Sequence, residues 1–249
     1  MNDEVKVFDA LKARKILERV NNFRSEINYE LTDEIKIIDG HTLHRIRAVR
    51  DLPHQGIKAG DLGGWIESVD NLIGDAWVHD EAKVYGNACV SGNACIYDDA
   101  RVYGDANIYD NVHVFDNARV YDDAYICGDA RIFDNASVYG DAYVCNDVCI
   151  FDNARVSGEV RVYGGAQICG DAQVKSDSDY FIVKNIWSSF RWFTYTHSNK
   201  MWKVGCFYGT GEELIAKAYK DSELSGKCYE EVVRAQEAIY KAIEEIKEV

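Results

Sequence analysis

From Leu72 the chain repeats a six-residue pattern of apolar and polar positions seventeen times without an insertion. Position one is always Leu, Val or Ile, and position five is always Ala or Val. Positions three and four hold turn-forming residues, mostly Gly, Asp and Asn, which tolerate left-handed backbone geometry. Because alternate residues of a strand point to opposite sides, positions five and one face inward while six and two face outward. Each hexad is therefore predicted to be a short strand and a corner, with three hexads closing one triangular coil of a single-stranded β-helix.

The segments outside the hexads predict a cap at each end of the rod. Before the repeat, apolar and polar residues alternate around Asp39-Gly40, which is a hairpin signal. After Val174 the period stops, and strand-like segments and two helices follow. The last helix of this cap has one apolar stripe: Val232, Ala235, Ile239, Ile243 and Ile246. The predicted domains are an amphipathic N-terminal helix (1–28), a hairpin and lead-in (29–71), the β-helix (72–175) and an α+β domain (176–249).

The hexad resembles the hexapeptide repeat of left-handed β-helices, which has an aliphatic residue at position one, Asn or Asp at four and a small residue at five. At position two that family often has Gly, whereas this chain mostly has Tyr, Phe, Cys or Ser. Residues 60–65 (GDLGGW) resemble the stretch before the hexads in a group of phage and prophage proteins, and RWFTYTHSNKMWKVGCFYGTGEEL resembles their C-terminal module. This resemblance implies a left-handed coil and a viral or prophage origin, and it implies no particular activity.

Since three hexads make one coil, residues eighteen apart are expected to stack, and the outward side chains form ladders along the rod. One face, the Phe face, carries an aromatic ladder of Tyr97, Phe115, Phe133 and Phe151. Contiguous apolar strips usually mark interfaces, so we expect this one to bind a second copy or a partner, unless the chain's own terminal helices cover it. A second face, the Arg–Tyr face, is defined by Arg101, Tyr103, Arg119, Tyr121 and Arg155.

The corner between these two faces has an aspartate at position three in five successive coils, the Asp column: Asp80, Asp98, Asp116, Asp134 and Asp152. We expect each to pair with the basic residue three positions on, as Asp98 would with Arg101. The alternative is an acidic ladder that a positively charged partner recognises. The hexads carry seventeen acidic and six basic side chains, which is −11 of the net charge of −14. A rod with that charge density could imitate a nucleic-acid backbone, although more sparsely.

The composition narrows the class of protein. The negative charge disfavours direct binding to nucleic acid or to an anionic membrane surface. The chain has no run of eighteen apolar residues and no signal-peptide stretch at its charged N-terminus, which predicts a cytoplasmic location. The resemblance to phage and prophage proteins implies that this is the cytoplasm of a bacterial host. The eight cysteines are therefore expected to be reduced, and no C-x-x-C pair indicates a metal site. Cys127 and Cys145 stack directly and are interpreted as small apolar fillers.

Two functional hypotheses follow. The favoured one is a non-enzymatic binding protein of phage origin, without a cofactor, that self-associates and engages a host protein. Inhibition of a nucleic-acid-handling bacterial defence complex would suit this origin and the acidic surface. The alternative is a hexapeptide-type acyltransferase using coenzyme A, with His113 or His79 as the base, although neither has an evident orienting partner. In the C-terminal domain, Arg191, Trp192 and Trp202 are candidates for a ligand pocket, unless its aromatic residues form its core.

Overall fold

The computed structural model describes residues 27–187 and 189–247. Their fold is mostly β, with a solenoid of about six turns of stacked parallel strands, then an antiparallel sheet and two helices. This confirms the predicted β-helix and its C-terminal α+β cap, while the left-handed winding stays a prediction. The N-terminal amphipathic helix was predicted on residues that lie outside the described part, apart from Ile27 and Asn28.

Three strands precede the rod: β1 (Tyr29–Ile38), β2 (His41–Ala48) and β3 (Leu62–Ile66). The rod consists of seventeen two-residue strands: β4 (Trp77–Val78), β5 (Lys83–Val84), β6 (Cys89–Val90), β7 (Cys95–Ile96), β8 (Arg101–Val102), β9 (Asn107–Ile108), β10 (His113–Val114), β11 (Arg119–Val120), β12 (Tyr125–Ile126), β13 (Arg131–Ile132), β14 (Ser137–Val138), β15 (Tyr143–Val144), β16 (Cys149–Ile150), β17 (Arg155–Val156), β18 (Arg161–Val162), β19 (Gln167–Ile168) and β20 (Gln173–Val174). The C-terminal domain contains β21 (Tyr180–Lys184), β22 (Trp192–Thr196), β23 (Met201–Val204), β24 (Phe207–Gly209), α1 (Gly211–Asp221) and α2 (Glu223–Lys247).

Successive coils of the rod pair in register at an offset of eighteen residues. Arg119, for example, lies between Arg101 of the preceding coil and Ser137 of the next. The backbone N–H of Arg101 donates a 2.9 Å hydrogen bond to the carbonyl of Ala118, and equivalent bonds recur along each face. The hexad side chains at positions one and five are all buried, which confirms that the alternation of small and branched residues fills the narrow interior.

The corners explain why position three is restricted to Gly, Asp and Asn. All seventeen position-three residues have a positive φ, from 48° at Asp80 to 78° at Gly128. Glycine adopts this conformation freely, and Asp and Asn adopt it more readily than other residues with a Cβ atom. Every corner therefore requires Gly, Asp or Asn at position three, as the sequence pattern indicated.

The N-terminal cap extends one face of the rod into a nine-stranded sheet, in which β3 lies parallel to β5 while β1 and β2 form an antiparallel hairpin. The lead-in glycines let β3 approach the first coil. A Cβ atom on Gly63 would lie 2.5 Å from the Val78 carbonyl oxygen, and one on Gly64 would lie 2.7 Å from that of Ala82. The GDLGGW motif is thus a site of close backbone approach.

The C-terminal cap closes the other end of the rod. Tyr180 and Ile182 of β21 pack against the last coils of the rod core. Trp192 of β22 lies on Gly165, where any side chain would collide with the indole. The cap has its own apolar core, made of Phe193, Tyr195, Trp202, Val204, Leu214, Ile215 and Val233.

The last helix buries a different stripe from the one that the sequence analysis identified. In α2, Val233 and Gln236 are buried and Tyr240 packs beside the cap core. In contrast, Ile239 and Ile246 are 50% and 76% exposed. These three residues each lie one position after a member of the predicted stripe, and of the stripe itself Val232 also packs on the cap core. Most of that stripe therefore faces away from the cap.

The thiols depart from the expectation that all cysteines are reduced. Cys127 and Cys145, which occupy equivalent positions in successive coils, form a disulfide with a Cα–Cα distance of 4.7 Å. Their interpretation as free apolar fillers is therefore wrong. The other six cysteines are free thiols, and Cys206 is the exposed one among them.

Because the interior is closed, substitutions at inward-facing positions should destabilise the fold far more than substitutions at the outward-facing positions beside them. Replacing Ala118, which is fully buried, by Leu adds three heavy atoms between coils whose spacing is set by the backbone bonds. We expect Ala118→Leu to lower the free energy of unfolding by about 1–3 kcal/mol or more. The matched control, Arg119→Leu, points outward and should change it by less than about 0.5 kcal/mol. Urea unfolding measures both, and equal effects would contradict the assignment of inward and outward positions.

Candidate functional site

The Phe face carries a continuous stack of aromatic rings, as predicted. The ring centroids of Tyr97 and Phe115 are 4.8 Å apart, and the Phe115–Phe133 and Phe133–Phe151 distances are both 4.9 Å, with the planes within 3° of parallel. The rings are half-buried. The Lys203 ammonium of the C-terminal domain lies 5.4 Å from the Phe151 centroid, but neither α1 nor α2 supplies a ring or cation to Phe133. The two C-terminal helices therefore do not cover this strip, and the predicted N-terminal helix lies outside the described residues.

The Arg–Tyr face carries a second ladder. Tyr85, Tyr103, Tyr121 and Tyr139 stack with centroid separations of 4.9 to 5.1 Å. Beside them, the guanidinium groups of the face project outward without an ion pair to any residue of the described ranges: Arg101, Arg119 and Arg155. Lys83, at the end of the same row, differs because it is 6% exposed and lies 3.6 Å from Asp99, and burial lowers its pKa.

The carboxylates of the Asp column bind backbone N–H groups of the next coil, and not the basic side chains that the sequence predicted. The carboxylate of Asp98 accepts a hydrogen bond at 3.3 Å from the backbone N–H of Asp116, one coil further on. The same bond joins Asp116 to Asp134, Asp134 to Asp152, and Asp152 to Gly170, at 2.9 to 3.2 Å. The predicted pairing with the basic residue three positions on is therefore wrong. The left-handed corner turns each carboxylate along the rod axis, toward the next corner.

A different acidic ladder is free of such bonds. It lies at position four of the corner between the Arg–Tyr face and the third face of the rod, which is formed by β6, β9, β12, β15 and β18. We call it the acidic ridge: Asp105, Asp123, Asp141 and Glu159. All four side chains are exposed. Asp105 accepts a 2.9 Å hydrogen bond from the Asn87 amide, and no residue of the ridge forms an ion pair with another described residue. The sequence signal was available, because these residues also recur every eighteen positions.

The ridge is electrostatically costly. Partial burial and the neighbouring carboxylates of Asp105, Asp141 and Asp122 raise the pKa of Asp123. A raised pKa means that the folded protein disfavours the charged form, so the repulsion acts above the folded-state pKa and is relieved below it. Stacked like charges directly opposite one another in a sheet are destabilising. A feature that costs stability and has no internal counter-charge is typical of a functional surface.

The candidate bases for acyl transfer lack the arrangement that catalysis needs. His79 packs edge-on against Trp77 and Tyr97, and His113 also contacts Tyr97. Burial lowers the pKa of both imidazoles, and Arg131 lowers that of His113 further. Neither ring is hydrogen-bonded to a carboxylate in the part of the chain that the structure describes. The surfaces around these histidines therefore offer aromatic packing and no base–orienter pair.

Two histidines outside the predicted sites do have a carboxylate partner: His197, whose Nε2 lies 3.4 Å from Glu244, and His41. His41 Nδ1 lies 2.9 Å from Glu67, and the same carboxylate accepts a 2.7 Å hydrogen bond from the Gly86 N–H. Burial alone would raise the pKa of Glu67, but the hydrogen bonds outweigh it and lower that pKa. His41 also packs on the Tyr85 ring. This network fastens the hairpin to the first coils, which gives it a structural role.

The C-terminal candidates do not converge on one pocket. Arg191 lines a small cavity of about 50 Å³ together with Cys206, Lys217, Asp221 and other residues. Trp192 is instead placed against the last coil of the rod, with the Lys184 ammonium 5.5 Å from its ring, and Trp202 is buried in the domain core. The aromatic residues thus serve mainly as the core of the cap.

No group of three or more His, Cys, Asp or Glu side chains within residues 27–187 and 189–247 is arranged to hold a metal ion. Nor does this part of the chain contain a helix of the length and apolar character needed to cross a membrane. A comparison with models of known protein families finds no match, and no curated protein matches the chain either. The function is therefore argued from the surfaces themselves.

The Asp column can be tested at Asp116. Asp116→Ala removes the acceptor for the Asp134 N–H and places alanine at a positive φ, so we expect it to lower the free energy of unfolding by about 1–3 kcal/mol. Asp116→Asn keeps an acceptor and tolerates the corner, so it should cost less than about 0.5 kcal/mol. Arg119→Gln is the control, because the ion-pair interpretation requires a loss there and the observed geometry requires none. Urea unfolding of the three variants distinguishes the ion-pair interpretation from the observed backbone hydrogen bond.

The acidic ridge predicts a gain in stability on neutralisation. Asp123→Asn removes the most repelled carboxylate, so at neutral pH and low salt the variant should be more stable by roughly 0.2–0.5 kcal/mol. The gain should shrink in 1 M salt, where charges are screened beyond about 3 Å. It should also shrink as the pH falls through the raised pKa of Asp123, because the carboxylate of the natural chain is then protonated. Thermal unfolding across salt and pH measures it, with Asp147→Asn as the control. A gain that is unchanged by salt would rule out charge repulsion.

Proposed function

We propose that this protein is a non-enzymatic binding protein whose rod presents the acidic ridge to a basic surface of a host protein. The observation that carries the proposal is the unpaired stack of Asp105, Asp123, Asp141 and Glu159, whose charge is not neutralised by any described residue. A lysine- or arginine-rich partner would supply the missing counter-charges. Partial burial and repulsion by neighbouring carboxylates together raise the pKa of Asp123, and binding would relieve the repulsion.

The spacing of the ridge supports a partner that normally handles nucleic acid. Successive carboxylates are one coil apart, or roughly 4.8 Å along the rod, while each strand of a duplex carries one phosphate per about 3.4 Å of helix axis. The ridge is therefore a sparser but straight line of negative charge. The Asp column adds a second row of acidic residues on the other side of the Arg–Tyr face, where the carboxylates accept backbone hydrogen bonds.

The proposed biological setting follows from the resemblance to phage and prophage hexapeptide-repeat proteins. In that setting the protein acts in the cytoplasm of a bacterial host and inhibits a nucleic-acid-handling complex, such as a defence complex, by occupying its basic surface. The Phe face lies across the triangular rod from the acidic ridge. Its role as a surface for self-association or for a second partner contact is thus compatible with a partner bound at the ridge.

The test removes the ridge charges without disturbing the corners. The triple variant Asp105→Asn, Asp123→Asn and Asp141→Asn should fold normally, because Asn occupies position four in other hexads such as that of Asn117. We expect the natural chain to capture a specific host protein from bacterial lysate, with release by added duplex DNA and by salt, and the triple variant to lose at least about tenfold in affinity for that protein.

The matched control neutralises three exposed position-four residues at the other two corners, Asp129→Asn, Asp147→Asn and Asp171→Asn. It changes the net charge by the same amount and should retain binding. Equal capture by the natural chain and the ridge variant would overturn the proposed role of the ridge. Equal loss in both triple variants would show that only the overall charge matters.

A further inference from the structure

The middle of the third face is more deeply buried than the ladders of the other two faces at the same level of the rod. Tyr109 and Cys127 occupy outward positions, yet only 4% and 6% of their surfaces are exposed. Phe115 occupies the same hexad position on the Phe face, and it is only half-buried although a parallel ring lies on each side of it. Tyr109 has smaller neighbours in its ladder, Ser91 and Cys127. Stacking along the rod therefore does not account for the burial of Tyr109.

The two described caps end on either side of this part of the third face. From the N-terminal side, the cap extends as far as the Asn93 carbonyl, which accepts a hydrogen bond from the Gln55 amide. From the C-terminal side, the Tyr180 hydroxyl donates a hydrogen bond to the Arg161 carbonyl. Tyr109 lies between these two levels, and its described contacts are with the rod itself. The group that covers it therefore comes from elsewhere in the chain.

Residues 1–26 are the one long stretch of the chain outside the described ranges, and they join the rod at the edge of the third face. The buried Asn28 side chain donates hydrogen bonds of 2.6 Å to the Gly74 carbonyl and 3.0 Å to the Asp75 carboxylate. Gly74 and Asp75 form the corner between the third face and the Phe face in the first coil. The deeply buried part of the third face is two to three coils further along, or roughly 10–14 Å. As the predicted helix, this segment would extend roughly 39 Å, which is long enough to reach it.

The apolar residues of this segment suit the tyrosine rings of the third face. Their spacing predicts one stripe on a helix: Ile16, Val20 and Phe23. The rings of Tyr125 and Tyr143 stack with their centroids 5.0 Å apart, so they offer a continuous apolar surface to such a stripe. The Phe face is at least as apolar, but its rings are only half-buried. Burial thus favours the third face as the surface that is covered.

The charges of the segment and of the third face are complementary. Residues 10–25 contain one acidic side chain, Glu18, and five basic ones, a net charge of +4: Lys12, Arg14, Lys15, Arg19 and Arg24. Acidic residues border the third face on both sides, with the acidic ridge along one corner and Asp110, Asp129 and Asp147 along the other. A basic segment on this face would therefore have carboxylates on either side of it.

We propose that residues 1–26 lie along the third face, with their apolar stripe on its tyrosine rings and their basic side chains beside its acidic edges. The segment covers the disulfide between Cys127 and Cys145 and makes the third face an internal surface of the natural chain. The side chains of the acidic ridge stay exposed, so the ridge remains open to a partner. Because the ridge and the third face are different surfaces, this contact is independent of the proposed function.

The first experiment locates the segment by photo-cross-linking in the full chain. Tyr125→p-benzoylphenylalanine places a photoreactive ring in the middle of the third face, and Tyr121→p-benzoylphenylalanine places one on the Arg–Tyr face as the matched control. After irradiation and digestion, we expect mass spectrometry to find peptides of residues 1–26 joined to position 125 and not to position 121. If no such peptide is joined to position 125, the proposal is wrong.

The same cross-link distinguishes the chain's own segment from that of a second copy. An equal mixture of unlabelled and nitrogen-15-labelled chains is irradiated together. A contact within one chain gives products in which both peptides carry the same label, which is the expected result. Products that combine a labelled with an unlabelled peptide would show that the segment of a second copy covers the face, and would overturn the proposal.

The second experiment releases the segment and measures its exposure to trypsin. Tyr109→Glu with Tyr125→Glu would bury two carboxylates under the apolar stripe, so the segment should detach and the rate of cleavage after its basic residues should rise at least about tenfold. Circular dichroism establishes that the rod of this variant stays folded.

The controls for this experiment carry the same change on the other two faces, Tyr121→Glu on the Arg–Tyr face and Phe133→Glu on the Phe face. Both should leave the rate of cleavage as it is in the natural chain. Faster cleavage in Phe133→Glu but not in the third-face variant would place the segment on the Phe face and contradict the proposal. Equal rates in the natural chain and all variants would contradict it as well, because the segment would then be bound to none of these faces.

Discussion

The backbone hydrogen bonds between coils, at an offset of eighteen residues, are the constraint on which the rest of this structure depends. They place Val120 between Val102 and Val138 and repeat that alignment on every face. Because the offset does not vary, any residue type that recurs every third hexad becomes a straight column on the surface. Aromatic stacks, capping carboxylates and repelling carboxylates are all consequences of this one alignment.

The columns differ in what they contribute to stability. Stacked tyrosine and phenylalanine rings remove apolar surface from water, and the Asp column satisfies backbone N–H groups at the corners of successive coils. The acidic ridge opposes folding, since its carboxylates repel one another and have no counter-charge. The rod tolerates the ridge because the interior is continuously packed from Leu72 to Val174. The stabilising columns thus offset the cost of the acidic ridge, to which we assign the proposed function.

Most of the fold could be predicted from the sequence, and the failures have physical causes. The hexad sets the direction of each Cβ atom, so the inward and outward positions and the ladder of Phe115 and Phe133 followed from the period alone. The partner of Asp98 did not, because the period says nothing about the rotation of a side chain at a positive φ. The stripe of α2 was misassigned because the helix has two apolar faces and periodicity cannot choose between Val233 and Ile239.

The rigidity of the coil also bears on how a partner would be selected. Carboxylates on a mobile loop must be ordered when they bind, at a cost of about 0.5–1.5 kcal/mol for each immobilised side chain. On the ridge, the backbone beneath each carboxylate is already fixed by its neighbours in the coils on either side, so less freedom is lost on binding. A fixed spacing further discriminates between partners, since only basic side chains with a matching repeat can pair with several carboxylates at once. Selectivity would then come from the repeat length, which the coil sets, more than from any single residue.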